Sequence, residues 1–501
     1  MTFKGLRTPL ASALFLLCLA AYAAAFLRPL HSQHQANVLD DDVIAFKALS
    51  IGKPSLPSSY GSHDLQLGSL RLPTDLYYHG AWSIYLALPF LPWAAPPDAL
   101  GAAAAFYAFL ALACNFFFVK RVLDSWLYGV LSTCLFGLNA QLVDISSRCY
   151  ALVPFTTLFL ILGCDLAQRW YRSRRLACLC AAAFLFGVGL SLQDRFVYAV
   201  AGACAAGLAV LPEAFREVWT RDRRACLRDL CRAGLCFLLG NLWLTWAALF
   251  HRPSWLSRIG ALLAQGPLDN TRYLETLGQR LSQLHVMTSC PALALLLPWL
   301  YLLWLGFRPD RGGPRIFSRA ACRSLTVFAA AYAAASGFGI SQIRIDHLVD
   351  FLPIASWLVT FALFHLLTAH GPRPLRTWLA AALLALHVRL ASPKVQTARA
   401  AAGAGGSDAA QLQSTISFCL AEQALAPFVP DLGLAHALAV HSGLRVLPQS
   451  DPWAIAAARV GLLDLSGRGP GQLPPAVLQA PVIKTFPIGG ADYAALRLEP
   501  R

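Results

Sequence analysis

The chain is poor in charge, and poorest in acid. Of 501 residues only 26 are Asp or Glu, and charged residues of both signs make up 13%, against about a quarter in an ordinary soluble domain. Length alone would suggest about three soluble domains, but 57% hydrophobic residues leave too little polar surface to cover them. The net charge of +15 comes without any basic stripe interleaved with aromatics, which excludes a nucleic-acid footprint. The 14 cysteines stand singly and mostly within apolar runs. Cys178 and Cys180 are too closely spaced for paired zinc ligands, and no disulfide framework emerges. No 20–50-residue repeat occurs, and no Asn-x-Ser/Thr acceptor site.

What is present is a series of long apolar runs. Eleven read as membrane spans: about 10–27, 98–119, 126–143, 150–167, 176–191, 196–212, 231–250, 289–307, 323–340, 350–368 and 377–392. The first follows Lys4 and Arg7. It contains Ala21-Tyr22-Ala23, which resembles a signal-peptide cleavage site, but its length suits an uncleaved span. A twelfth apolar stretch, 79–96, is set aside by charge. Without it, Lys120/Arg121, Arg169–Arg175, Arg216–Arg232, Arg308–Arg323 and Arg373/Arg376 all fall on the side of the N-terminus, as the positive-inside rule requires. Counting it as a span would flip the later clusters to the opposite face. Pro89, Pro92, Pro96 and Pro97 also suit a broken interfacial or re-entrant element.

The expected fold class is therefore an all-α polytopic membrane protein with interfacial helices in its external loops and a small external α/β tail. Residues 1–392 form the transmembrane module, with a first external loop at 28–97 and a second at 251–288. In the second, Tyr273, Leu274, Leu277, Leu281 and Leu284 recur at helical spacing, with Arg272, Glu275 and Arg280 between them, which predicts an amphipathic surface helix. A linker at 393–410, rich in Ala and Gly after residue 400, leads into a tail at 411–501. The tail has helical patterns near 411–425 and 452–463 and strand-like Val482–Phe486 and Tyr493–Leu498.

The scarce ionisable groups are not scattered. They gather at the external ends of spans: Asp40-Asp41-Asp42, Asp144 with Arg148, Asp194 with Arg195, and Arg344 with Asp346, His347 and Asp350. Asn241 and His365 are polar exceptions inside spans and read as helix–helix hydrogen-bonding groups. Coupled carriers place ionisable groups within their spans, whereas a rim of acids and bases at one face suits chemistry on a lipid-borne substrate. Membrane glycosyl transfer needs a carboxylate to take a proton from an acceptor hydroxyl, and cations to offset charge on a departing phosphate. A carrier that flips lipid-linked sugars and a non-catalytic membrane scaffold are the competing classes. The aspartate run also has a purely structural use, since acid is favoured in the first turn of a helix.

Two stretches of the first loop carry a resemblance: Asp40-Asp41-Asp42-Val43-Ile44-Ala45-Phe46-Lys47-Ala48-Leu49-Ser50-Ile51-Gly52, and Tyr78-His79-Gly80-Ala81-Trp82. Further on stand Ser147-Arg148-Cys149-Tyr150-Ala151-Leu152-Val153-Pro154 and His347-Leu348-Val349-Asp350-Phe351-Leu352-Pro353. In order and sidedness these resemble the GT-C superfamily of polyprenyl-phosphate-sugar transferases, which includes protein O-mannosyltransferases and lipid A aminoarabinose transferases. That family's pattern is Asp-Glu, an amphipathic helix and Gly, then His-Pro-Pro-Leu. Here Asp-Asp replaces Asp-Glu, and Gly80-Ala81 replaces Pro-Pro.

The resemblance implies an inverting transfer from a polyprenyl-phosphate sugar to a lipid, glycan or protein acceptor. Asp40 or Asp41 would be the general base, with Asp42 beside them. Arg344 and His347 would hold the lipid phosphate, with Lys53, His79, Arg148 and Arg195 as further substrate-binding positions. It implies no metal ligands and no obligatory cofactor, with a divalent cation left open. The expected partners are the donor lipid, the acceptor and the bilayer, with no nucleic acid. The Ala/Arg-rich, Lys-poor composition points to a bacterial inner membrane with the site on its external face.

Overall fold

The computed structural model describes residues 4–29, 39–51, 65–68, 70–76, 79–93, 96–148, 153–219, 223–250, 270–288, 292–308, 319–337, 348–370, 373–403, 407–427, 429, 432–442, 445–447, 458–464, 480–488 and 491–498. The chain divides into two compact units. One comprises Met1–Leu27, Ala105–Ile145 and Leu152–Ala398; the other comprises Arg28–Ala104, Ser146–Ala151 and Arg399–Arg501.

The first unit is helical. Its elements are α1 (Lys4–Phe26), the later part of α4 (Pro96–Leu123), α5 (Trp126–Gly137), most of α6 (Ala140–Arg148), α7 (Val153–Ser173), α8 (Leu176–Leu192), α9 (Val197–Trp219), α10 (Arg223–Gly240), α11 (Leu242–Phe250), α12 (Asn270–Thr288), α13 (Ala292–Phe307), α14 (Arg319–Ser336), α15 (Phe351–His370) and α16 (Arg373–Gly403) as far as Ala398. Each expected apolar stretch thus carries helix. Among the described residues two helices have both the length and the apolarity of a crossing, Ala99–Leu123 and Phe351–Thr368; a third results if Trp126–Gly137 and Ala140–Ser147, bent by 55°, act as one. The bend is a capped break: Asn139 Oδ1 accepts the backbone N–H groups of Gln141 at 2.9 Å and Leu142 at 3.1 Å, which starts α6 afresh. The stretch 231–250 is likewise divided at Asn241, between α10 and α11.

The helices pack on aromatic and aliphatic side chains, including Phe118, Leu131, Phe136, Phe328, Trp357 and Phe361. Helix α14 lies along α9, and α10 lies along α8. The second pair touches backbone to backbone through Gly187 and Gly240. A Cβ on Gly187 would stand 2.2 Å from the Phe237 carbonyl oxygen, and one on Gly240 2.1 Å from that of Phe184. Such small-residue contacts let helices approach where water supplies no driving force.

Inside this apolar unit lies a buried polar tie. Asn115 donates from Nδ2 to Ser132 Oγ at 3.2 Å and Thr133 Oγ1 at 3.3 Å, and its Oδ1 accepts the Trp357 indole N–H at 2.7 Å. Ser132 and Ser356 hydroxyls meet at 3.1 Å. The tie joins α4, α5 and α15, and each buried group in it finds a partner. His365 serves as expected: its Nδ1 meets the Tyr301 hydroxyl at 2.9 Å, linking α15 to α13. Asn241 does not. Its Oδ1 has no partner among the described residues, because it stands at a helix break rather than on a packed face.

Members of three basic clusters, Arg121, Arg169 and Arg323, lie at one end of this unit. Asp165 accepts from Arg121 at 3.1 Å and from Arg169 at 2.9 Å, so the C-terminal ends of α4 and α7 share a carboxylate. Arg323 donates to the carbonyls of Gly306 at 3.3 Å and Ala209 at 3.4 Å, tying the start of α14 to the ends of α13 and α9. This co-localisation is the one that the charge pattern predicts for a single membrane face.

The second unit contains α2 (Leu39–Ser50), two small antiparallel ladders, the short α3 (Trp82–Ala87), and a tail of α17 (Ser407–Ala421), α18 (Leu432–His441) and a sheet. The ladders pair β1 (Leu65–Leu67) with β2 (Leu70–Leu72), and β3 (Asp75–Leu76) with β4 (His79–Gly80). After β4 the chain makes only the six residues of α3 and one 3-10 turn, Leu88–Phe90, so 79–96 holds no helix of spanning length among its described residues. The tail sheet, ordered β5 (Val460–Asp464), β7 (Ala491–Arg497), β6 (Val482–Ile488), is antiparallel. The two later strands and α17 fall where the sequence puts them. Residues 460–463 were expected to be helical and instead form β5, because pairing to β7 buries Val460 and Leu462 on one face of a sheet. The described part of 393–410 is largely helical: α16 runs through Pro393 to Gly403, and α17 begins at Ser407.

Candidate functional site

The aspartate run opens α2. The helix begins at Leu39, so Asp40, Asp41 and Asp42 occupy its first turn, where the exposed N–H groups and the macrodipole favour carboxylates. Their side chains lie outside the described residues. From Val43 onward the helix is buried almost all round, packed by α3 and α18. Its burial includes Lys47, 1% exposed in a position where a lysine is costly to desolvate. The short helix is therefore held as a rigid element of the second unit. In the same unit, Arg399 donates to the Arg28 carbonyl at 2.6 Å and Ser147 Oγ at 2.8 Å, tying the chain after α1 to the end of α6. Burial, with Arg28 beside it, holds the Arg399 guanidinium below its ordinary pKa.

Of the other expected site residues, His79 lies on β4, opposite Leu76, and Arg148 ends α6; their side chains lie outside the described residues. Arg195 sits half-buried in the 3-10 turn Asp194–Phe196 that precedes α9. Lys53, Arg344 and His347 lie outside the described residues altogether.

A cluster that the sequence did not single out lies in the first unit. Arg280, on α12, is 0% exposed. Its Nη1 reaches Gln283 Oε1 at 3.3 Å, while Nε and Nη2 have no hydrogen-bond partner among the described residues. Tyr332, near the end of α14, is 1% exposed and lies within electrostatic reach of Arg280, Asp350 and Tyr198. Its hydroxyl also lacks a partner among the described residues. The Tyr332 ring packs edge-to-face with Tyr198 at 5.9 Å and tilted against Phe351 at 5.4 Å. Asp350, one residue before the apolar run Phe351–Thr368, is buried, hydrogen-bonds Thr156 at the start of α7, and leaves Oδ1 unpartnered among the described residues. Burial pushes its carboxyl up to about 7, with the Thr156 hydroxyl pulling the other way. Neither Arg280 nor Asp350 forms an ion pair among the described residues.

The cluster gathers the starts of α7, α9 and α15 and the end of α14, the ends opposite to the basic clusters. Helix α12 buries only one edge of its apolar stripe, together with Arg280. Leu274 and Leu281 are 62% and 50% exposed, whereas Arg280 and Leu284 are buried. The reason is geometric. With 3.6 residues per turn, Arg280 projects within about 40° of Leu284 and about 120° from Leu274. The apolar stripe meets protein along one edge and is exposed along the other, and the arginine belongs to the protein edge. That angular position was the signal available in the sequence. A buried guanidinium with open donors, flanked by phenols, can receive an anion with bidentate geometry.

No family model matches the sequence, and no curated protein matches it. Among solved structures, ArnT from Cupriavidus metallidurans bound to undecaprenyl phosphate is similar over 97% of both chains, at 13% identity and a TM-score of 0.47. The apo state of the same protein is similar over 97% of both chains, at 14% identity and a TM-score of 0.46.

Proposed function

We propose that the chain is an integral membrane glycosyltransferase that takes a sugar from a polyprenyl-phosphate donor at the external face of the membrane. The observation that carries this reading is Arg280, buried completely with two guanidinium nitrogens open among the described residues, beside Tyr332 and Asp350. An arginine is desolvated at such cost only where an anion or equivalent acceptor compensates it. At the acid-rich rim of an apolar bundle, the anion class that also brings a hydrocarbon tail is a lipid phosphate. The ends of the helices gathered here are those that the charge pattern assigns to the external side, and eleven spans with external loops at 28–97 and 251–288 complete the proposed topology.

On this reading Arg280 holds the donor phosphate and offsets the charge that develops on it. The acceptor hydroxyl oxygen attacks the anomeric carbon, the bond from that carbon to the phosphate oxygen breaks, and polyprenyl phosphate leaves with the electron pair. A carboxylate at the head of α2, Asp40 or Asp41, takes the hydroxyl proton, and a single displacement inverts the anomeric centre. The assignment of the aspartates rests on the sequence pattern, and the donor side rests on the geometry of Arg280. Arg344, His347, Lys53, His79, Arg148 and Arg195 are further proposed contacts to substrate. The acceptor is a lipid, glycan or protein hydroxyl. No cofactor enters the scheme, and a divalent cation is best tested by chelation.

The test is binding of polyprenyl phosphate to the purified chain. Arg280→Ala should weaken it about tenfold or more, and Arg280→Lys by less. Unchanged affinity in a folded Arg280→Ala protein would remove the donor assignment.

A further inference from the structure

The basic end of the helical unit carries a recess. A cavity of about 310 Å³ opens between α4, α7, α8, α9, α14 and α15, within the size range of small-ligand pockets. Its walls are apolar, formed chiefly by Phe118, Phe186, Phe328, Trp357 and Phe361. Gln168, Arg172 and Ser324 line it as well, Gln168 and Arg172 standing one turn apart on the last turns of α7. Gln168 Oε1 is shielded from solvent and has no hydrogen-bond partner among the described residues. Arg172 makes no hydrogen bond or ion pair among the described residues. Its basic neighbours are already engaged: Arg121 and Arg169 on Asp165, and Arg174 over the Tyr171 ring at 4.9 Å. The recess is distinct from the Arg280 cluster. Arg172 stands 16 residues along α7 from Thr156, about 24 Å at the helical rise.

An apolar chamber lined by a cation and an acceptor that are both unpaired among the described residues fits an amphiphile with three features: a hydrocarbon chain, an anionic group and a hydrogen-bond donor. We infer that this recess binds one phospholipid from the leaflet on the basic side, an anionic lipid with a hydroxylated headgroup. An acyl chain lies against Phe118, Phe328 and Trp357, the phosphate meets Arg172, and a headgroup hydroxyl donates to Gln168. The local charge favours this occupant over a neutral lipid: Arg121, Arg169, Arg172 and Arg174 stand at or just beyond the C-terminal ends of α4 and α7, and among the described residues Asp165 takes up only Arg121 and Arg169. The lipid would fill the gap between α7, α9 and α14 and brace the bundle.

The experiment uses the full-length chain, delipidated in a neutral maltoside detergent. It is titrated with phosphatidylglycerol or with phosphatidylcholine of the same acyl chains. Thermal unfolding is followed, and native mass spectrometry counts bound lipid. Phosphatidylglycerol should raise the Tm more than phosphatidylcholine does, and one molecule per chain should persist. Arg172→Gln should remove most of that difference. Gly207→Leu is the second variant. Gly207 lines the recess, and a Cβ there meets nothing within 4 Å, so the leucine occupies the chamber without displacing backbone. It too should remove most of the difference. Arg224→Gln, on an exposed residue of α10 that does not line the recess, should keep it. Should Gly207→Leu unfold the lipid-free chain, Arg172→Gln decides alone. Equal shifts with both lipids would show a plain annular contact and overturn the proposal, as would an Arg172→Gln protein that keeps the full phosphatidylglycerol effect.

Discussion

Trp357 donates its indole N–H to Asn115 Oδ1 at 2.7 Å, joining α15 to α4 across 242 residues of chain. The same amide reaches Ser132 and Thr133, so removing it takes this partner from the Trp357 indole and the Thr133 hydroxyl in an apolar interior, while Ser132 keeps Ser356. Asn115→Leu should cost about 1–3 kcal/mol, more than the mean for a single membrane hydrogen bond. Trp357→Phe alone should cost less, and the double variant less than the sum of the two, because the second loss falls on groups already unpaired. Thermal unfolding in detergent measures all three; strict additivity would mean that the tie is not one network.

The contact between α8 and α10 makes a sharper demand on shape. Gly187→Ala or Gly240→Ala places a Cβ within 2.2 Å of backbone, which forces the helices apart and should cost about 2 kcal/mol or more. Gly234→Ala, on the same α10 but with nothing within 4 Å, should be neutral or stabilising by up to about 1 kcal/mol through helix propensity. Comparable effects at all three positions would indicate that the close approach is not maintained in the membrane.

Helix α12 shows how much was legible in the sequence and where legibility stopped. Its existence, and that of the helix in each apolar run, followed from spacing and hydropathy, because both are properties of one segment. Which edge of its stripe meets protein did not follow, because lipid and protein interior attract the same leucines. Only Arg280 beside Leu284 marked the difference. The strand at 460–464 was missed for a related reason: Val460-Gly461-Leu462-Leu463 has no intrinsic period, and its partner β7 lies some thirty residues further on. Asn115 escaped notice because one amide in an apolar run is silent until its partners from other helices are known. The aspartates were conspicuous at once, being scarce.

The orientation of α12 has its own test. Leu281→Ser and Leu274→Ser, on the exposed edge, should leave stability and polyprenyl-phosphate affinity nearly unchanged. Leu284→Ser on the buried edge should cost about 2–4 kcal/mol. Loss at Leu274 and tolerance at Leu284 would restore the opposite face as the packed one.

Asp350 sets a pH dependence. Its folded-state pKa of about 7 lies above the ordinary carboxylate value, so the folded chain binds more protons than the unfolded one between the two. Its contribution to stability is present below about pH 4 and is lost as pH rises towards 7. Asp350→Asn should remove that slope and leave the protein relatively more stable above pH 7. Parallel stability profiles for wild type and Asp350→Asn from pH 4 to 8 would mean that an unseen partner keeps the carboxylate ionised.

The central claim is sugar transfer from a polyprenyl-phosphate donor with a carboxylate at the head of α2 as base. The most direct measurement is transfer of labelled sugar from polyprenyl-phosphate donors by membranes carrying the wild-type chain or single Asp40→Asn, Asp41→Asn and Asp42→Asn variants at matched levels. Wild-type membranes should release polyprenyl phosphate. Asp40→Asn or Asp41→Asn should lower the rate by about a hundredfold or more, the scale of a lost general base, and Asp42→Asn by much less. No transfer from any such donor, or full activity in all three variants, would contradict the account.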